Sequence, residues 1–272
     1  MASALRTGFV RSGGREIYYE RQGDGPPVLF CHGAGGNAAA WFQQVAAFRE
    51  HHACLTVDLR CFGRSVAPVD EFRLDLFVDD LLAVLDHECI ARAAIVGQSL
   101  GGMVGLRLAL AHPQRVGAFV SSNSSLAIDH PTLVDCVERH LRGGLTQTIE
   151  QRSLGAGFAS RQPELALLYA QLNHFNPSFL RVPAEAWRAR MLALNAPDVL
   201  LPTASVAALQ CPVLWAVGRE DPIVPFTVMQ ELGERLPGSE VCIIDGAAHS
   251  AYYSHPEIFN PAVLDFLARR YT

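Results

Sequence analysis

A serine set between glycines, Gly97-Gln98-Ser99-Leu100-Gly101, is the part of this sequence best suited to covalent chemistry. The apolar run 93–96 precedes it and a helical pattern over 103–111 follows, so the serine falls at a strand-to-helix turn. Small neighbours let the chain turn sharply there, and the new helix aims free N–H groups at charge developing beside the serine. The same five-residue pattern also arises by chance, where small residues only permit tight packing of helix on strand. The strand–turn–helix context favours the catalytic reading.

A serine hydroxyl is a weak nucleophile near neutral pH and needs a base. Histidine suits the task because it titrates near working pH. Ten histidines compete. His249 is favoured because it follows the apolar run 241–244 in the short loop Asp245-Gly246-Ala247-Ala248. That placement brings it to the sheet edge that holds Ser99. His51, His52, His87 and His112 fall near predicted helix ends, and His130, His140 and His174 lie in a separate helical stretch. The base needs a carboxylate to fix its tautomer. Asp221, in Gly218-Arg219-Glu220-Asp221-Pro222 just past the run 213–217, is the candidate, with the adjacent Glu220 its nearest rival. The plain alternative for Asp221 is a solvated turn or helix cap.

An oxyanion site needs two amide donors. One is expected from Leu100, directly after the nucleophile. The other is expected from Ala34 in His32-Gly33-Ala34-Gly35-Gly36, where Gly33 and Gly35 let backbone approach a substrate. His32 is read as bracing that loop. Trp41, Phe158 and Trp187, with Tyr169, Phe175 and Phe179, are candidates to line a pocket, and the competing reading packs most of them between helices. Arg142, Arg152, Arg161, Arg181, Arg188 and Arg190 offer contacts for an acidic substrate, with none singled out.

The elements that must position these groups alternate between strand and helix. Strands are predicted over 9–11 and 15–20, joined by Gly13-Gly14, and over 27–31, 54–59, 93–96 and 116–121. Helices are predicted over 38–50, 74–87 and 103–111. After about residue 123 the rhythm breaks into helical segments over 133–141, 145–152, 163–172 and 184–194. It returns with strands over 213–217 and 241–244 and helices over 228–236 and 256–270. This predicts an α/β fold with a mostly parallel central sheet covered on both faces. The core is expected over residues 1–125 and 206–272, with a helical insertion over 126–205.

The chain has 272 residues, half of them hydrophobic, with a formal net charge of −5 and a pI near 6.0. No basic block argues for nucleic acid. No apolar stretch reaches the roughly 18 residues of a membrane span, and residues 1–11 lack a signal-like run, so cytoplasmic residence is expected. Seven scattered cysteines without a C-x-x-C pair read as reduced thiols. Oligomeric state is left open, a homodimer included.

Together with Asp58-Leu59-Arg60-Cys61-Phe62-Gly63-Arg64-Ser65 and Gly102, the quoted motifs resemble the α/β-hydrolase superfamily over nearly the whole chain outside the insertion. The resemblance implies Ser99 as nucleophile, Asp221 as acid and His249 as base, in the chain order known for that fold. It also implies that the Asp58–Ser65 loop is structural, that the insertion is a helical cap, and that no cofactor or metal is needed. Ser99-Leu100-Gly101-Gly102-Met103-Val104-Gly105, Ala247-Ala248-His249 and Pro256-Glu257 with Phe259-Asn260 are similar to 3-oxoadipate enol-lactone hydrolases. The expected activity is hydrolysis of a small carboxylic ester or lactone. C–C bond hydrolysis of ring-cleavage products is the enzymatic alternative, and a non-catalytic small-molecule receptor is the alternative of another class. Serine at the nucleophile position argues against haloalkane dehalogenases and epoxide hydrolases, which resemble this architecture but use aspartate there.

Overall fold

Each central strand sends alternate side chains to opposite faces of one sheet, and that alternation builds two hydrophobic layers. In the computed structural model, which describes residues 4–142, 148–155 and 157–271, Leu29, Cys31, Ala93 and Ile95 join one layer, and Val28, Phe30, Ala94 and Val96 join the other. The strands are β1 (Arg6–Ser12), β2 (Arg15–Gln22), β3 (Pro27–Cys31), β4 (Ala53–Val57), β5 (Ala93–Gln98), β6 (Val116–Ser122), β7 (Val213–Gly218) and β8 (Glu240–Ile244). Their spatial order is β1-β2-β4-β3-β5-β6-β7-β8. β2 runs antiparallel to both β1 and β4, and every other pairing is parallel.

The helices are α1 (Phe42–Phe48), α2 (Leu74–His87), α3 (Leu100–Ala111), α4 (Pro131–Arg142), α5 (Ile149–Leu154), α6 (Phe158–Arg161), α7 (Pro163–His174), α8 (Ala184–Ala193), α9 (Phe226–Arg235), α10 (Ala251–Ser254) and α11 (Pro256–Arg270). Apolar residues of α2, α3 and α9 cover one face of the sheet, and those of α1 and α11 cover the other. The strands from β4 to β7 are buried along their whole length, as parallel strands covered on both sides must be.

Agreement with the predicted elements is close for α2 and α11, whose bounds match. The single helix expected over 38–50 is a 3-10 turn at Ala38–Trp41 followed by α1, because Asn37 caps the turn through the Ala39 amide. Strand β4 stops at Val57, since the Asp58 carboxylate is used in the following loop. The expected helix over 145–152 is α5, and its first three predicted residues lie outside the described ones. α6 and α10, of four residues each, are too short to show a periodicity.

Between β6 and a 3-10 turn at Thr203–Ala208 the described residues form helices, with one isolated bridge joining Ile128 to Leu201. The two ends of this stretch are tied side by side. Leu201 N–H donates to the Ala127 carbonyl at 3.0 Å, and Asp129 N–H donates to the Leu201 carbonyl at 2.9 Å. Arg107, on α3, spans both: its guanidinium donates to the carbonyls of Leu126 at 3.3 Å and Val199 at 2.6 Å. Burial among carbonyls holds Arg107 below the ordinary arginine range, at about 10. Among the described residues no helix is long and apolar enough to cross a membrane.

Candidate active site

Parallel strands share one carboxyl edge, so loops following β3, β5, β6, β7 and β8 meet there however far apart they lie in sequence. Ser99 stands at the β5–α3 turn with φ 50° and ψ −111°. Such a backbone is strained for a residue with a Cβ. Its neighbours hold it: Ser99 N–H donates to the Ser122 carbonyl at 3.0 Å, and the Ser99 carbonyl accepts from Ser124 Oγ at 2.6 Å. The flanking glycines are required by close approach. A Cβ on Gly97 would collide with the Gly101 carbonyl, and one on Gly101 with the Cys31 carbonyl of β3. The turn is thereby pressed against β3 while the Ser99 side chain stays partly exposed.

His249 follows β8, with its backbone carbonyl receiving the Gln98 side-chain amide at 3.0 Å. Its Nε2 lies 3.0 Å from Ser99 Oγ, and its Nδ1 lies 2.9 Å and 3.1 Å from the two Asp221 oxygens. An ionised carboxylate only accepts, so Nδ1 carries the proton and Nε2 is left to accept the serine hydroxyl. The Asp221 side chain is fully buried. It is matched by donors: Ile223 N–H at 2.8 Å, Val224 N–H at 3.1 Å and Asn123 Nδ2 at 2.9 Å, besides His249.

The loop after β3 lies against this pair. An ideal Cβ on Gly33 would sit 3.2 Å from Ser99 Cβ. No hydrogen bond among the described residues engages the Ala34 or the Leu100 amide. His32 is buried, donates Nδ1–H to the Gly33 carbonyl at 2.7 Å and accepts Leu59 N–H on Nε2 at 3.0 Å. Burial lowers its pKa to about 4, partly offset by the bond to Gly33, so the ring is neutral and both nitrogens are spent on the loop.

Helix α5 crosses above these groups. The Ile149 side chain reaches Gly35 at one end, and Gly155, just past the other, faces Ala248. Ser250 N–H donates to the Ser153 carbonyl at 2.8 Å, and Ser250 Oγ meets the buried Tyr169 hydroxyl at 2.8 Å. Arg152, half-buried on α5, has no carboxylate partner among the described residues, and none of the residues 143–147 and 156 is acidic. Burial lowers its pKa, with Tyr169 and Glu150 opposing. His140, on α4, is held at about 4 by burial and then by the fields of His249 and Arg152, against that of Asp221.

The proposed pocket residues are placed differently. Trp41 is fully buried and packs between Phe30 and Tyr252, with ring centroids at 5.2 Å and 4.4 Å. It belongs to the core layer that also holds Phe30, Phe48 and Tyr252. Phe158 is buried with Leu154, Ala166 and Tyr169, filling the junction of α5, α6 and α7. Trp187 meets Phe62 and Phe72 edge to face and packs tilted against Phe179, closing the loop after β4. Phe175 points outward, 55 % exposed. Of the six arginines, Arg152 lies on α5, where the carbonyl of the neighbouring Ser153 accepts the N–H of Ser250, the residue after His249.

Asn123 and Asn176 escape a reading based on motif. For Asn123 a signal existed: the polar run Ser121-Ser122-Asn123-Ser124-Ser125 ends an apolar strand at the functional edge. For Asn176 there is none, since its partners Gly63 and Gly35 lie 113 and 141 positions away.

Comparison with known proteins agrees with this architecture. The alpha/beta hydrolase fold family matches residues 26–256. The protein named carbamate hydrolase RutD of Variovorax paradoxus is 32 % identical over 93 % of this chain and 96 % of its own length. The 3-oxoadipate enol-lactonase 2 of Acinetobacter baylyi is 30 % identical over 89 % of this chain and 88 % of its own. Among solved structures, a thermophilic esterase from Thermogutta terrifontis superposes with a TM-score of 0.83 over 98 % of this chain and all of that one. At 23 % identity it speaks to the fold alone.

Proposed function

The chain belongs to the alpha/beta hydrolase fold family, and on that premise we propose that it hydrolyses a small carboxylic ester or lactone through an acyl-enzyme on Ser99. One observation carries the reading: the unbroken path from Ser99 Oγ through His249 to the Asp221 carboxylate, each link 2.9–3.1 Å long. In it His249 Nε2 takes the hydroxyl proton as Ser99 attacks the carbonyl carbon. The tetrahedral oxyanion is received by the amides of Leu100 and Ala34. The C–O bond to the alkoxide breaks and His249 returns the proton to that oxygen; in a lactone the alcohol stays tethered to the acyl group. Water, deprotonated by the same imidazole, then attacks the acyl carbon and releases the acid and Ser99. Asp221 keeps the imidazole in the required tautomer and stabilises the imidazolium.

Residues 126–205 act in this reading as a cap that closes the substrate space above the triad. Arg152, a half-buried cation with no ion-pair partner among the described residues, supports a substrate that carries a negative group away from the scissile bond. The named activities of the two relatives, on an enol-lactone and on a carbamate, support attack at an acyl carbon bearing a heteroatom leaving group.

The test is labelling by a fluorophosphonate together with turnover of p-nitrophenyl acetate. Labelling confined to Ser99, and loss of about four or more orders of magnitude in kcat for Ser99→Ala, are expected. Wild-type protein that neither labels nor turns over, or a Ser99→Ala variant as active as wild type, overturns the assignment.

A further inference from the structure

We propose that Asn176 is a positioning residue for the oxyanion hole, coupling the helical segment over the site to the loop that carries Ala34. The inference rests on the reading of the Ala34 and Leu100 amides as that hole. Asn176 lies between α7 and α8 and is buried, 5 % exposed. Both amide hydrogens and the amide oxygen are engaged. Nδ2 donates to the Gly35 carbonyl and to the Asn173 carbonyl, the latter at 3.1 Å, while Oδ1 accepts Gly63 N–H at 3.0 Å.

These partners sit where the loop's shape is decided. Gly33 to Gly36 is a turn closed by Gly36 N–H on the Gly33 carbonyl at 3.0 Å, with Gly35 at φ +95°. That angle sets how successive peptide planes face. The Gly35 carbonyl belongs to the plane two beyond the one bearing the Ala34 N–H, so a donor fixed on this carbonyl resists rotation of the turn and keeps the amide aimed. Gly63 belongs to the loop after β4, where Asp58 accepts Ala38 N–H and Arg64 N–H at 2.7 Å each. One side chain from the helical segment thus clasps both loops at once. A second tie runs in parallel, from Asn37 Nδ2 to the Leu172 carbonyl at 2.8 Å.

Only a primary amide fits the position. An aspartate of the same shape keeps the acceptor for Gly63 but sets a negative oxygen against the Gly35 carbonyl. An alanine leaves a buried carbonyl and a buried N–H without partners. An oxyanion donor is worth about two to three orders of magnitude in rate, and one misaimed rather than removed loses part of that.

The experiment compares Asn176→Asp and Asn176→Ala with wild type. It measures kcat and KM on a p-nitrophenyl ester, affinity for an alkylboronic acid whose tetrahedral adduct occupies the hole, and the thermal midpoint. A fall in kcat of about tenfold to a hundredfold is expected, with KM within about threefold and boronate affinity weakened in step with kcat/KM. Asn176→Asp should be no better than Asn176→Ala. Folded variants whose kcat and boronate affinity equal those of wild type overturn the proposal, as does a loss confined to KM. If neither variant folds, Asn37→Ser keeps an oxygen for the Ala39 amide and removes only the tie to Leu172. A parallel loss in kcat and boronate affinity there supports the coupling, and unchanged values overturn it. Wild type that fluorophosphonate fails to label would instead refute the hydrolase reading, before any Asn176 variant is made.

Discussion

Asn123 Nδ2 donates to Asp221 Oδ2 at 2.9 Å, and the same amide nitrogen reaches the Ala248 carbonyl at 3.0 Å. One side chain at the end of β6 therefore fixes both the carboxylate after β7 and the backbone next to His249. Asn123 adopts a left-handed backbone, φ 49°, to do so.

Replacing it with alanine should leave Asp221 one donor short and the Ala248 carbonyl unpaired. A hydrogen bond to a charged group is worth about 1.5–3 kcal/mol, which corresponds to roughly a tenfold to hundredfold loss if all of it is felt at the transition state. Steady-state kinetics of Asn123→Ala should show the loss in kcat, with KM little changed. Full activity in a folded variant would mean that the Ile223 and Val224 amides suffice to hold Asp221.

Arg152→Gln should erode selectivity rather than catalysis. With a matched pair of p-nitrophenyl esters, one ending in a methyl and one in a carboxylate, wild type should favour the anionic ester. The variant should lose that preference by about tenfold, mostly through KM, since a charge-assisted contact is roughly twice as strong as a neutral one. Turnover of the neutral ester should stay near that of wild type. An anionic preference that survives the substitution assigns the contact elsewhere.

His32 makes stability depend on pH. Its folded-state pKa is lowered from 6.5 to about 4 by burial, so between those values the unfolded chain binds a proton that the folded one refuses. The contribution is complete above pH 6.5, declines as pH falls and is gone below about 4. At 1.36 kcal/mol per unit it amounts to about 3 kcal/mol. His52 and His140 are also lowered and add to the same slope. Thermal midpoints measured from pH 7.5 to 4.5 should fall with acid, and His32→Gln should start lower and fall less steeply. Equal slopes for the two proteins would contradict the assignment of the neutral ring.

Much of the site was legible because local constraints reveal themselves in composition. The glycine at 97 is demanded by the Gly101 carbonyl one turn away, and the apolar runs before residues 99, 221 and 249 name strands whose carboxyl ends must share an edge. The aromatic residues were not legible in the same way. Trp41, Phe158 and Trp187 have the character of pocket and of core alike, and only the direction of their elements sends the first into the core layer with Phe30, the second among α5, α6 and α7, and the third onto Phe62.

By itself, then, the sequence marked the succession of strands and helices along the chain and the small-residue pattern around Ser99, since each shows in neighbours within a few residues. Tertiary structure alone decided that Asn123 serves Asp221, that Asn176 clasps Gly35 and Gly63, and that α5 meets Ser250 next to His249. Those relations span loops separated by tens to more than a hundred residues. A hydrogen bond across such a span is fixed by where packing sets two loops in space, and nothing local to either residue records it.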